Sequence, residues 1–277
     1  MTSIMGILNV TPDSFYDGGR YVDRAAAIAQ AHQMVQAGAT IIDIGGESTR
    51  PGALVVPFTQ EMDRVLPVVE ALAEDFKNYP SLSLSIDTRN PEVMLAAIKA
   101  GARFINDINA LQIDKTPTAN QMVSNLLTEI KQTHTKICLM HMKGNPQNMQ
   151  LAPHYTNVVL EIKDFLKSRV TFCLEQGLKK DQIIIDPGFG FGKTPDHNKA
   201  LLQNLNAFSD LGVPILVGLS RKSFIEKWLA ESVPLADRLA PSIAAALVAV
   251  RNGADIIRTH DVQATVYALK ITQLFNN

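Results

Sequence analysis

The chain of 277 residues balances 26 Lys and Arg against 27 Asp and Glu, so no global field draws it to nucleic acid or to an anionic membrane surface. Hydrophobic residues make up 46% and charged residues 19%, the proportions of a globular chain with a large core, and no apolar run approaches the ~20 residues that span a bilayer. Cys138 and Cys173 stand far apart without a C-x-x-C, as expected of inert core or helix residues in a reducing cytosol.

MTSIMGILNV has no basic stretch ahead of its apolar residues and runs straight into a strand pattern over 4–9, so a signal peptide is not expected and the cytoplasm is. Further strand patterns follow over 40–45, 82–87, 104–108, 136–141, 183–186, 214–219 and 255–259. Helical patterns lie between them over 23–37, 59–76, 91–100, 119–132, 157–176, 196–208, 223–251 with a break around Pro234, and 262–274. Asp23, Thr59 and Asp196 stand where N-caps belong, and Pro91 where a helix starts.

Three joints repeat. AGATIID (37–43), AGARFIN (100–106) and NGADIIR (252–258) each close a helix with Gly and enter a strand that ends in a polar residue. Eight strands alternating with eight helices, with no linker or low-complexity tract, predict one (β/α)8 barrel over 1–277. An open doubly wound sheet is the runner-up, and its G-x-G-x-x-G after the first strand is absent.

Active sites of such barrels lie at the C-terminal ends of the strands. There the sequence places Asn9, Glu47 to Arg50, Asp87, Asn106, His141, Asp186, Ser220 to Lys222, Arg258 and His260. Each taken singly reads equally as a helix cap, a turn acid or a solvated cation. A ring of them at one rim is harder to explain by the fold.

The rim holds two chemistries. Asp87, Asn106 and Asp186 suit a flat heterocycle whose N–H groups a carboxylate accepts in pairs, with Lys222 donating to a ring carbonyl. Asn9, Arg50, Ser220, Arg258 and His260 offer donors and positive charge to a phosphate or pyrophosphate. Asn9 and Asp13 also offer oxygen to a hard divalent metal. The loops at 11–19 and 48–53 are candidate covers for the barrel mouth. Of Phe189 and Phe191, set among Gly188, Gly190 and Gly192, one is expected to plug the core. No zinc spacing, G-x-S-x-G, P-loop or H-E-x-x-H occurs, and Ser220 lacks the third member of a nucleophilic triad.

Together MGILNVTPDSFYDGG (5–19), DIGGESTRPGA (43–53), SIDT (85–88), INDI (105–108), MHMKGNPQNMQ (140–150), DPGFGFGKT (186–194), GLSRKSFI (218–225) and RTHDV (258–262) resemble, in order, the dihydropteroate synthase family, the target of sulfonamides. The resemblance implies a transferase of folate biosynthesis that joins 6-hydroxymethyl-7,8-dihydropterin pyrophosphate to para-aminobenzoate with loss of pyrophosphate. It implies a pterin pocket of Asp87, Asn106, Asp186, Lys222 and Arg258, and para-aminobenzoate contacts at Thr49, Arg50, Pro51, Phe191, Ser220 and Lys222. Pyrophosphate contacts are implied at Asn9, Arg50, Arg258 and His260, with Mg²⁺ on Asn9 and catalysis carried by Lys222, Arg258, His260 and Arg50. A homodimer is implied too, for which the Ala- and Leu-rich 243–250 is a candidate face beside its reading as core.

The chain departs from the family pattern in three places. Few residues precede the first strand, which predicts a less covered barrel floor; Arg89 follows SIDT; and LAPS (239–242) stands where Gly-Ser or Gly-Thr is usual. A corrinoid-dependent pterin methyltransferase and a non-catalytic pterin-binding barrel share the pocket, but neither needs a pyrophosphate site.

Overall fold

A computed structural model describes residues 2–11, 20–47, 56–112 and 116–275. Eight strands, β1 (Ser3–Asn9), β2 (Ile41–Gly45), β3 (Ser83–Asp87), β4 (Phe104–Asp107), β5 (Lys136–Met140), β6 (Ile183–Asp186), β7 (Leu216–Gly218) and β8 (Ile256–Thr259), pair in parallel in the order β6-β5-β4-β3-β2-β1-β8-β7. A single bridge, Ile185 to Ile215, joins the two ends of that order and closes the (β/α)8 barrel. The closing bond runs from the Ile185 N–H to the Pro214 carbonyl at 3.0 Å. The last two strands begin later than the sequence pattern suggests, at Leu216 and Ile256.

Nine α-helices are present among the described residues: α1 (Arg20–Gln36), α2 (Phe58–Asp75), α3 (Pro91–Ala100), α4 (Pro117–Thr133), α5 (Val158–Glu175), α6 (Pro195–Gln203), α7 (Phe224–Leu229), α8 (Leu239–Arg251) and α9 (Val262–Leu274). The predicted helix 196–208 is in fact α6 followed by 3₁₀ turns over Leu205–Leu211. Asn204 caps the end of α6, where its backbone N–H and its side-chain amide both donate to the Ala200 carbonyl, at 3.1 and 2.8 Å. The predicted caps also move. Asp23, Thr59 and Asp196 lie inside their helices. Thr194 caps α6 instead: its hydroxyl accepts from the His197 N–H while the imidazole accepts from the Thr194 N–H, both at 3.2 Å. The three repeated joints behave as expected, with Gly38, Gly101 and Gly253 at φ of 103°, 119° and 104°, a region that side-chain-bearing residues rarely enter.

Period-2 alternation divides the strand residues between two cores. Outward residues such as Ile42, Ile86, Ile105, Leu139, Ile185 and Ile257 pack with the inner faces of the helices, among them Val65, Ala97, Leu126 and Leu166. Inward, Met5, Ile41, Phe104, Cys138, Ile184, Leu216 and Ile256 form a separate apolar layer inside the barrel. All seven are buried, so the less covered floor anticipated from the short N-terminus is not found in this layer.

Candidate active site

Two residues along from that apolar layer, the inward positions of β2, β4, β6 and β8 change character, while β1, β5 and β7 continue with Ile7, Met140 and Gly218. Ile41 is followed by Asp43, Phe104 by Asn106, Ile184 by Asp186 and Ile256 by Arg258, while β3 places Ser85 and then Asp87 on the same face. Packing below and polar groups above are thus two layers of one register.

The centre of the polar layer is Arg258. Its Nε donates to Asp43 Oδ2 and its second guanidinium nitrogen to Asp87 Oδ2, both at 2.6 Å. Asp43 is fully buried and also accepts from the Ser85 hydroxyl at 2.5 Å and the Asn106 amide at 2.9 Å. Burial works against charge on Arg258, but the two carboxylates outweigh it and hold the guanidinium pKa above its ordinary value. Asp87 is different: burial pushes its pKa up to about 7 despite Arg258, and the like charge of Asp43 adds to the rise. Its Oδ1 is buried and has no hydrogen-bond partner. An acceptor in that condition is costly to the fold and suited to a ligand N–H.

Asp186 ends β6 and turns into the glycine loop, where its Oδ1 accepts from the Gly188 N–H at 2.7 Å; burial raises its pKa. Phe189 is the aromatic that enters the core, as anticipated for one of the pair. Phe191 stays at the pocket, with its ring 4.2 Å below the Lys222 ammonium, which also donates to the Phe189 carbonyl at 2.9 Å. Burial lowers the Lys222 pKa to about 8, against the nearby Asp186 charge.

The Ser-Arg-Lys turn after β7 sends alternate side chains in opposite directions because Arg221 adopts a left-handed φ of 58°. Two contacts hold that conformation. The Arg221 N–H donates to Ser242 Oγ at 2.8 Å, and its guanidinium pairs with Asp261. The last residue of LAPS thus supplies a hydroxyl that braces the turn, as the usual Gly-Ser or Gly-Thr pair also can. Ser220 Oγ accepts from the His260 N–H at 3.2 Å and lies 3.0 Å from His260 Nδ1.

A pocket of about 490 Å³ opens over these groups and is lined by Asp87, Asn106, Asp186, Phe191, Ser220, Lys222, Arg258 and His260, together with Ile7, Ile108, Met140, Phe189 and Gly218. Apolar walls with a few converging polar groups are the ordinary make-up of a small-molecule site. Asn9 ends β1 beside it, since a Cβ placed on Gly45 would lie within 4 Å of both Asn9 Oδ1 and Asp87 Oδ2. Thr49, Arg50, Pro51 and Asp13 lie outside the described residues. No group of three or more His, Cys, Asp or Glu capable of holding a metal occurs among the described residues. A hard cation that takes most of its ligands from phosphate oxygens and water needs only one or two protein oxygens, and the Asn9 amide fits that requirement.

His141, expected at the rim, turns away from the pocket to Lys193 and the edge of Phe165. Arg89 forms a two-pronged pair with Glu47 at 2.8 and 3.1 Å, and Glu47 also accepts from the Val56 N–H at 3.0 Å. The sequence reasoning passed over Asp43, Ser85 and Lys193. The signal for Asp43 was present in IIDIG, where a mid-strand acid faces the same side as the strand-end position two residues on.

The description "Pterin binding enzyme" belongs to the family model that matches residues 5–260. A dihydropteroate synthase of Haemophilus influenzae is 47% identical over 274 residues, covering 99% of this chain and 94% of its own. The Xanthomonas albilineans dihydropteroate synthase with 4-aminobenzoic acid superimposes with a TM-score of 0.85 at 44% identity, covering 99% of this chain and 93% of its own. The same enzyme in complex with 7,8-dihydropteroate gives a TM-score of 0.82 at 42% identity, with the same coverage.

Proposed function

The chain belongs to the pterin-binding enzyme family, and on that premise we propose how its rim residues divide the work of the condensation it catalyses. In that reaction the amine of para-aminobenzoate attacks the exocyclic methylene carbon of 6-hydroxymethyl-7,8-dihydropterin pyrophosphate. A C–N bond forms, the C–O bond breaks with its electron pair leaving on pyrophosphate, and the amine gives up one proton, yielding 7,8-dihydropteroate for folate biosynthesis.

The observation that carries the assignment of roles is the buried, unpartnered Oδ1 of Asp87, in a pocket that Asn106, Asp186, Lys222 and Arg258 also line. Asp87 and Asp186 accept the pterin ring N–H groups, and Asn106 orients the ring. Arg258, locked between two carboxylates, lies flat against it and directs its remaining N–H groups to the leaving group. Lys222 donates to the pterin carbonyl. Ser220 and Phe191 flank para-aminobenzoate, joined by Thr49, Arg50 and Pro51. His260 contacts pyrophosphate with Arg50 and Arg258. Asn9 would hold Mg²⁺, which supplies positive charge against the departing pyrophosphate. Donors fixed in place where negative charge develops contribute to the rate without a general base.

The enzyme works in the cytoplasm as a homodimer in this reading. No helix among the described residues is long and apolar enough to cross a membrane. Val248 on α8, Tyr267, Ile271 and Leu274 on α9, and Phe275 beyond it are exposed, more apolar surface than a monomer gains from leaving bare. Sedimentation at micromolar concentration checks the dimer, and a monomer throughout would remove it.

Pyrophosphate release, measured with the dihydropterin pyrophosphate and Mg²⁺ in the presence and absence of para-aminobenzoate, tests the whole assignment. Release that depends on the amine, is lost with EDTA and falls in the Asp87→Ala variant is expected. Unchanged turnover in that variant would remove Asp87 from the pterin pocket.

A further inference from the structure

Lys193 follows the glycine loop after β6, and none of the roles above uses it. Only 2% of it is exposed. Its ammonium lies 2.8 Å from the Gly188 carbonyl, 2.9 Å from that of Phe191, 3.2 Å from that of His141 and 3.0 Å from His141 Nδ1. Carbonyls only accept, and a primary ammonium only donates. Burial first, and then the Lys193 charge, push the His141 pKa down to about 3, so its Nδ1 is one of four acceptors around three N–H bonds, and burial likewise pushes the Lys193 pKa well down.

The cage closes one stretch of backbone onto another. A Cβ on Gly188 would meet the His141 carbonyl at 1.9 Å, and one on Gly192 would meet that of Lys143 at 2.4 Å, so the loop lies directly on the chain that leaves β5. Its other side faces the pocket, where the Phe189 carbonyl and the Phe191 ring hold Lys222. Both groups sit within five residues of the caged ammonium. Other bonds secure the same loop, from Tyr155 to the Gly192 carbonyl and from the Gly190 N–H to Asn198, so loss of Lys193 loosens the loop without releasing it.

We propose that Lys193 is a positioning residue for the amine substrate: its ammonium, caged by the carbonyls of His141, Gly188 and Phe191 and by the His141 ring, sets the height of the Phe191 ring in the pocket. The inference rests on the reading that Phe191 flanks para-aminobenzoate, and the test separates the two.

Lys193→Met keeps the aliphatic stem without the ammonium, and Lys193→Gln keeps two N–H donors without the charge. Pyrophosphate release is measured with each substrate varied, and the Kd of the dihydropterin pyrophosphate is measured directly. The Met variant is expected to raise the KM for para-aminobenzoate by ~10-fold or more and the Gln variant by less, while the pterin Kd stays within about 3-fold. A lower kcat with both affinities intact would mark Lys193 as serving the fold alone and overturn the proposal. Phe191→Ala is the control. If it raises the amine KM while both Lys193 variants leave it unchanged, the proposal fails and the pocket reading stands. An unchanged amine KM in Phe191→Ala removes both. Should the Met variant not fold, the Gln variant carries the same comparison.

Discussion

Asp43→Asn tests the centre of the site without altering its shape. The amide oxygen can occupy the place of Oδ2, which accepts from Arg258 and Asn106, while the amide nitrogen faces Ser85, whose hydroxyl can turn to accept. Each hydrogen bond keeps a counterpart and only the charge is lost. Bonds to a charged group contribute ~1.5–3 kcal/mol against ~0.5–1.5 for neutral ones, so the variant should lose roughly 1–3 kcal/mol of stability. For a chain of this size that lowers Tm by about 2–12 °C. Arg258 then has Asp87 as its one charged partner in the layer, and a guanidinium drawn toward Asp87 should reduce turnover ~10-fold or more. A second readout follows from Asp87. Its folded pKa of about 7 lies above the ordinary 3.8, so the native state binds more protons between those values and stability falls as pH rises through them. Removing the like charge at position 43 should lower that pKa and flatten the decline. Thermal melts from pH 5 to 8, beside pyrophosphate release, measure all three effects. Wild-type turnover with an unchanged melting profile would refute the claim that Asp43 sets the position of Arg258.

Three further outcomes are expected. Asp186→Asn should weaken binding of the dihydropterin pyrophosphate by ~10–100-fold, the value of one charged hydrogen bond, as read by calorimetry; an unchanged Kd removes its role. His260→Ala should lower turnover with a much smaller loss of pterin affinity; equal loss of turnover and pterin affinity in His260→Ala would count against a leaving-group role. Lys222, lowered by burial to about 8 from 10.5, loses its charge in the native state while the unfolded chain keeps it. Stability should therefore rise with pH across that interval as turnover falls, and Lys222→Arg should move the alkaline decline upward; a decline at the same pH in both proteins would assign it to another group.

The order and type of the elements were legible because they depend on local rules. Apolar runs, Gly at three αβ joints and Pro91 at a helix start act within a few residues, and the barrel follows from their alternation. Strand-end polar residues were legible as well, and seven of them meet at one pocket. Helix caps were less so, since Thr194 and Asp196 are both acceptable caps and only the reciprocal bond with His197 decides between them. Three features could be settled only by the tertiary structure. Asp43 and Arg258 lie 215 residues apart and meet because β2 and β8 flank β1. Arg221 points away from the pocket because Ser242 and Asp261, on other segments, hold its left-handed backbone. Lys193 becomes buried because the glycine loop folds onto the chain leaving β5. Sequence by itself determined which residues reach the mouth of the barrel, since that follows from strand length and period. Which of them neutralise, orient or brace one another depended on barrel closure, because closure alone brings distant strands within the ~3 Å over which a hydrogen bond acts.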